Sequence, residues 1–255
     1  MVLIKSLCIA LSTYSAIPMP QFGWDGKAMA YSLCFLPFVG VLAGGALWLW
    51  LLFCARFGVG EVLAAAVAAA LPVLLTGGIH MDGFCDTVDA LSSHQPPQRC
   101  LEIMKDSRAG AFAVIYGGLW LILAFGLWAE LIRRGGAWQA CLVFVLSRAA
   151  AVFLVIFMKN ARGGGMLAAF TEPARRRAAV ASAALWALAA GGALLRASPV
   201  AAGGAAAALA ATVLCYVRMA NRRFGGVTGD TSGFFVQAGE LAMLAGMTLA
   251  ILILH

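Results

Sequence analysis

Long apolar runs separated by short polar breaks set the pattern of this chain. Residues 28–57 form a nearly continuous apolar run, longer than the roughly 20 residues needed to cross a hydrocarbon core. Pro37 and Gly40 within it are tolerable in a membrane helix and mark a place for a kink. Further spans are predicted over 61–75, 109–132, 138–158, 178–195 and 199–217, with a last one ending at Leu254. Those over 178–195 and 199–217 are rich in Ala and Gly, a composition suited to close helix packing. The N-terminal run ends in Pro18 and Pro20 without a small-x-small cleavage site, and reads as a retained interfacial helix. A polar break at 21–27 follows it. Two short helices are predicted between the second and third spans, over 82–93 and 97–106, joined by the turn signal SSHQPP. The expected fold is an all-α, polytopic transmembrane helix bundle of about seven spans, with short helices on the cytoplasmic side. All of residues 1–255 are expected to form one integral membrane domain.

Composition agrees with the pattern. The chain is 63% hydrophobic and 11% charged, with a mean hydropathy of +0.92, whereas an ordinary soluble domain is about 25% charged. A formal charge of +7 could suggest nucleic acid, but in a membrane protein basic residues are first a topology signal. Alternating the spans places 13 Lys and Arg on one side and 4 on the other, with Arg148 left inside a span. The acidic stretch, the triglycine loop 163–165 and the segment 218–230 share the basic side, which the positive-inside rule makes cytoplasmic. The seven cysteines include no C-x-x-C pair and no zinc-type spacing; buried free thiols are the simplest reading.

The chemistry concentrates in residues 76–110. Of eleven Asp and Glu, five lie there: Asp82, Asp86, Asp89, Glu102 and Asp106. The three aspartates are spaced four and three apart, on one face of a helix, where like charges repel. A cation between them would relieve that repulsion, and magnesium suits the work because it binds through few carboxylates plus substrate phosphates. Glu102 and Asp106, four apart, are expected to form a second acidic face. His80 could bind metal or phosphate or simply satisfy a turn. Arg108 could grip a phosphate oxygen bidentately or pair with Asp106. Arg148, a lone cation within a span, is costly there and calls for a carboxylate partner or a substrate contact. Gly225 to Thr231, with Gly226, Thr228 and Asp230, resembles a phosphate-cradling loop before a helix, although Asp230 also fits a plain N-cap.

Three blocks, TGGIHMDGFCDTVDAL, LEIMKDSRAG and GGVTGDTSG, resemble the signatures of the cobalamin synthase family, and the likeness runs essentially the whole length. Many relatives have Gly where this chain has Ala90, and Leu-Gly-Ala where it reads Ser-Gly-Phe after Thr231. The resemblance implies an adenosylcobinamide-GDP ribazoletransferase of the bacterial inner membrane with its active site facing the cytoplasm. It implies magnesium, with Asp82, Asp86, Asp89, Glu102 and Asp106 as metal positions and Asp82, Asp86 and Asp89 as catalytic ones. A ribazole hydroxyl attacks the cobinamide-side phosphorus and GMP leaves. Asp86 or Asp89 is the expected base, and a rim drawn from Arg108, Arg162 and Arg222 holds phosphates. The expected partners are adenosylcobinamide-GDP, α-ribazole or its 5'-phosphate and the lipid bilayer, with a homo-oligomer or other corrinoid-assembly enzymes as candidates. A transporter would spread charges through the spans and often carry internal repeats, and no repeat is visible. A scaffold would show no turnover on its own.

Overall fold

The computed structural model describes residues 1–20, 22, 26–106 and 108–254. The expected polar break at 21–27 falls largely outside that set. The described elements are α1 (Val2–Tyr14), α2 (Gly26–Met29), a one-turn 3-10 helix (Ser32–Phe35), α3 (Leu36–Phe57), α4 (Glu61–Leu75), α5 (Ile79–Ser92) and α6 (Pro97–Ile103). They continue with α7 (Ala111–Arg133), α8 (Ala137–Ala140), α9 (Val143–Phe157), α10 (Gly165–Thr171), α11 (Arg176–Ala197), α12 (Pro199–Arg223) and α13 (Gly229–Leu254). Among the described residues there is no strand, only one isolated parallel bridge between Asn160 and Val227. Six helical stretches are long and apolar enough to cross a membrane, and the bent pair α4–α5 brings the count to as many as seven. The all-α polytopic bundle expected from the sequence is what the chain forms.

Two helices hold the bundle together. α9 packs against α3, α11 and α13, and α13 packs against α5, α7, α9 and α12. The span containing α9 is 72% buried, which explains a sequence that is apolar on every face. Arg148 of α9 and Glu240 of α13 meet in this interior as an ion pair at 2.5 Å, exposed by only 1% and 3%. Ser147 donates a second hydrogen bond to the same Glu240 oxygen, and the Phe144 carbonyl accepts one from Arg148. Neither charge would be tolerated alone at such a site.

Several boundaries differ from the expectation. The run 28–57 is not one helix: Pro37 lies in the first turn of α3, where its missing N–H is harmless, so the chain before it forms α2 and a 3-10 turn instead. α5 begins three residues early, at Ile79, because Gly77 and Gly78 take φ of 62° and 76° and turn the chain, an easy conformation only for glycine. α4 and α5 are bent there by 91°. α6 ends at Ile103, so Asp106 lies beyond it and does not share a helical face with Glu102. The Asp106 side chain accepts from the Arg108 N–H instead, a local bond that competes with helix. α12 runs on to Arg223, which shortens the expected 218–230 loop to a tight connection.

Glu240→Ala would leave Arg148 buried without a counter-charge, at a cost of about 3–5 kcal/mol. The expected outcome is a large fall in melting temperature in detergent, mostly recovered by the apolar double variant Arg148→Met with Glu240→Leu.

Candidate active site

α5 follows α4 after the 91° turn and packs against the starts of α7 and α13. The crossing with α13 is close because both helices present glycine: a Cβ on Gly83 would come within 2.7 Å of the Asp230 carbonyl, and one on Gly233 within 3.0 Å of the His80 carbonyl. Phe84 stacks on Phe234 beside it, with ring centroids 5.4 Å apart. Asp82 and His80 are thereby carried to the start of α13, where Asp230 stands.

That start is shaped by a reciprocal cap. The Thr231 N–H donates to the Thr228 Oγ1 at 3.1 Å, and the Thr228 N–H donates to the Thr231 Oγ1 at 2.8 Å, an arrangement of the capping-box kind. The cap is therefore Thr228, not Asp230, and the Asp230 carboxylate is left for Arg162, 2.9 Å away. The two groups touch without hydrogen-bond alignment: Arg162 Nε and Nη2 and Asp230 Oδ2 are buried with no hydrogen-bond partner. The loop holding Arg162 is pinned beside α13, since the Ala161 N–H donates to the Val227 carbonyl and the Val227 N–H to that of Lys159. The Gly226 N–H is likewise used inside the fold, by the Ala220 carbonyl.

Two clefts open on either side of the α5 acidic face. The inner one, about 260 Å³, has an apolar interior and at its mouth Asp82, Arg162, Asp230 and the backbone of Gly229. His80 lines it, 5% exposed, with Nε2 unpartnered and its ring stacked on Tyr14 at 6.0 Å. Burial, with a smaller contribution from Arg148, holds this imidazole well below its ordinary range and so neutral. The outer cleft, about 520 Å³ and more open, is lined by Asp86, Asp89, Glu102, Asp106, Arg99 and Arg108.

The five carboxylates of residues 76–110 do not play equal parts. Asp89 accepts from the Gly110 and Ala113 N–H groups at 2.7 and 2.9 Å, one on each oxygen, and so caps α7 from another helix. Glu102 pairs with Arg99 at 2.6 Å. Asp106 pairs with Arg108 at 2.8 Å, and hydrogen bonds from Arg108 hold its carboxyl down at about 2. Among the described residues Asp82 and Asp86 make no side-chain hydrogen bond or ion pair. Burial, then the charges of Asp82, Asp230 and Asp89, push Asp86 up to about 6, against the opposing pull of Arg162. Among the described residues no three His, Cys, Asp or Glu side chains converge tightly enough to hold a metal ion by themselves. The donors that remain are Asp82 and Asp86, together with Asp230, whose contact with Arg162 carries no hydrogen bond; these carboxylate oxygens suit a hard divalent cation completing its shell with water and phosphate.

Of the other expected site residues, His80, Arg162, Thr228 and Asp230 line the inner cleft and Arg108 the outer one. Arg148 lines neither, because its charge is spent on Glu240. Sequence reading missed Asn160, Ser232 and the aromatic pair Tyr14 and Phe170, all on the inner cleft. It missed Glu240 too, although a single acid in the last span was available to match the single cation in the fourth.

Fold and site together define a polytopic membrane protein with an acidic, arginine-bearing pair of clefts at the end of its bundle. The chain belongs to the cobalamin-5-phosphate synthase family, whose model matches residues 6–248. It is 36% identical over 251 residues to an adenosylcobinamide-GDP ribazoletransferase of Lachnoclostridium phytofermentans, covering 97% of this chain and 94% of that one. It is 38% identical over 247 residues to the protein of that name from Pseudomonas entomophila, covering 95% and 98%. No solved structure matches the chain.

Asp89→Ala would strip two first-turn amides of α7 of their acceptor, and the expected loss is about 1–2 kcal/mol, as for other caps. Asp82→Ala removes a repelling charge and no hydrogen bond, so it should leave the melting temperature unchanged or slightly raised. Thermal unfolding of the two variants in one detergent compares them.

Proposed function

We infer that this chain is a magnesium-dependent adenosylcobinamide-GDP ribazoletransferase of the bacterial inner membrane, working from its cytoplasmic side. It joins adenosylcobinamide-GDP to α-ribazole, or its 5'-phosphate, with release of GMP. The observation that carries this reading is the junction of α5, α13 and the Arg162 loop, where carboxylates, an incompletely bonded arginine and a helix N-terminus face one opening. Phosphoryl transfer asks a protein mainly to position reactants and stabilise charge, and these groups do both. The excess of basic residues at this end supports the cytoplasmic side.

In this reading Asp82 and Asp230 would hold a magnesium ion. The bound ion supplies Lewis-acid stabilisation of the diphosphate and of the leaving GMP. Asp86 takes the proton of the attacking ribazole hydroxyl. Its raised proton affinity makes it a stronger base than an ordinary aspartate, whereas both Asp89 oxygens are occupied by amide protons. Arg162 and the Gly229 and Asp230 amides at the start of α13 bind phosphate oxygens. Arg108 and Arg99 serve the outer cleft by exchanging their carboxylate partners for substrate phosphate. Glu102 and Asp106 approach a cation only if those arginines let go.

Purified protein given activated corrinoid and ribazole should release GMP with magnesium and lose that activity in a chelator, with recovery when magnesium is restored. Asp82→Ala should cost about 100-fold or more in kcat, on the scale of losing one preorganised charge contact. Undiminished GMP release by Asp82→Ala with magnesium present would sink the metal assignment. The base must be deprotonated to act and its proton affinity is raised, so activity falls as pH drops through about 6. A bound cation moves that limb lower. Asp86→Asn should abolish activity at every pH rather than displace the limb.

A further inference from the structure

The inner cleft differs in chemistry from the outer one, and the difference separates the two substrates. Its volume, about 260 Å³, sits below the roughly 300–1,000 Å³ usual for small-molecule sites. A corrin macrocycle has no room there. A single flat bicyclic base with part of its sugar does. The deep wall is apolar, formed by Leu33, Leu36, Val155 and Val236. Tyr14 stands against it, with Phe170 tilted at 5.8 Å on one side and His80 stacked at 6.0 Å on the other. Within that wall His80 brings one buried polar atom without a partner, Nε2.

We propose that the inner cleft is the base-reading subsite for the acceptor nucleoside, with His80 Nε2 hydrogen-bonded to the free ring nitrogen of its benzimidazole. This rests on the transferase reading above and says which substrate enters where. The polar inventory decides between the candidate bases. A dimethylated benzimidazole joined to ribose offers an apolar body and one ring nitrogen as acceptor, which one imidazole N–H satisfies. Guanine carries a carbonyl, an amine, a ring N–H and further ring nitrogens. Against Leu33, Leu36, Val155 and Val236 those groups would go unpaired, since the cleft's other polar side chains, Asn160, Arg162, Thr228 and Ser232, line it from the Arg162 loop and the start of α13. With the base seated by His80, the ribose reaches the mouth where Asp82 and Asp230 stand. Its hydroxyl then meets the acidic face of α5 from inside while the activated corrinoid approaches through the open outer cleft. His80 is thus a specificity-determining residue, and Met166, more than half exposed at the cleft mouth, borders the entry.

The test uses the purified full chain in detergent with activated corrinoid and two acceptors, α-ribazole and its indole analogue, in which the free ring nitrogen is a carbon. The wild-type protein is expected to favour α-ribazole by about tenfold in kcat/KM, the worth of one hydrogen bond to a buried group. His80→Phe should raise KM for α-ribazole by a similar factor, remove the preference between the two acceptors and leave KM for the activated corrinoid unchanged. Met166→Trp, a surface change, should raise KM for both acceptors alone, which keeps the test decisive if His80→Phe fails to fold. Equal use of the two acceptors by the wild-type protein would overturn the proposal, as would a rise in corrinoid KM with an unchanged acceptor KM in either variant. If the wild-type protein releases no GMP from any pair, the transferase reading itself fails; if it does so and the variants behave as wild type, only the subsite assignment does.

Discussion

α5 and α13 meet at Gly83 and Gly233, where a Cβ would stand 2.7 Å from the Asp230 carbonyl and 3.0 Å from that of His80. A methyl group on Gly83 would force the helices apart and one on Gly233 would crowd the His80 backbone, so the two glycines keep Asp82 near Asp230 and Arg162. The crossing is kept in place from two sides. Phe84 and Phe234 stack beside it, and Asp89 ties the far end of α5 to the first amides of α7. The acidic helix is thus a crossbar fastened to two spans, and its charges are aimed by the spans rather than by a flexible loop.

The arrangement keeps different ionic jobs apart. Arg148 and Glu240 cancel in the apolar interior, where partial exposure is of no use to them. Arg99 with Glu102 and Arg108 with Asp106 lie at the water-facing rim, where such pairs are worth little and exchange readily. Between these extremes sit Arg162 and Asp230, near each other but poorly aligned. Groups held close without their best hydrogen bonds are ready to take better ones from a phosphate or a cation, and little must be broken first.

Much of this was legible in the sequence. Long apolar runs between polar breaks marked the spans, and the scarcity of acids elsewhere pointed to residues 76–110. What spacing could not reveal was occupancy. Asp82, Asp86 and Asp89 look equivalent at i, i+4 and i+7, yet Asp89 is spent on backbone amides of α7, a contact between helices that leaves no trace in local sequence. Asp106 looked like a helical partner of Glu102 until its own side chain ended the helix pattern by bonding to Arg108. Thr228 and Asp230 are both good cap residues, and only the reciprocal bond with Thr231 decides between them. Arg148 and Glu240 lie far apart in sequence, although each is conspicuous alone as a charge within a span.

The shortness of α4 has a consequence for the lipid around it. At about 1.5 Å per residue its 15 residues rise only about 22 Å, less than the roughly 30 Å of hydrocarbon in a typical bilayer. The chain then turns through 91° into α5, so α4 alone is too short for such a core. Lipids next to so short a helix thin or tilt to meet it. The acidic helix is thus joined to the bundle through the member least matched to a bilayer, and the thickness of the surrounding membrane bears on how α5 is held.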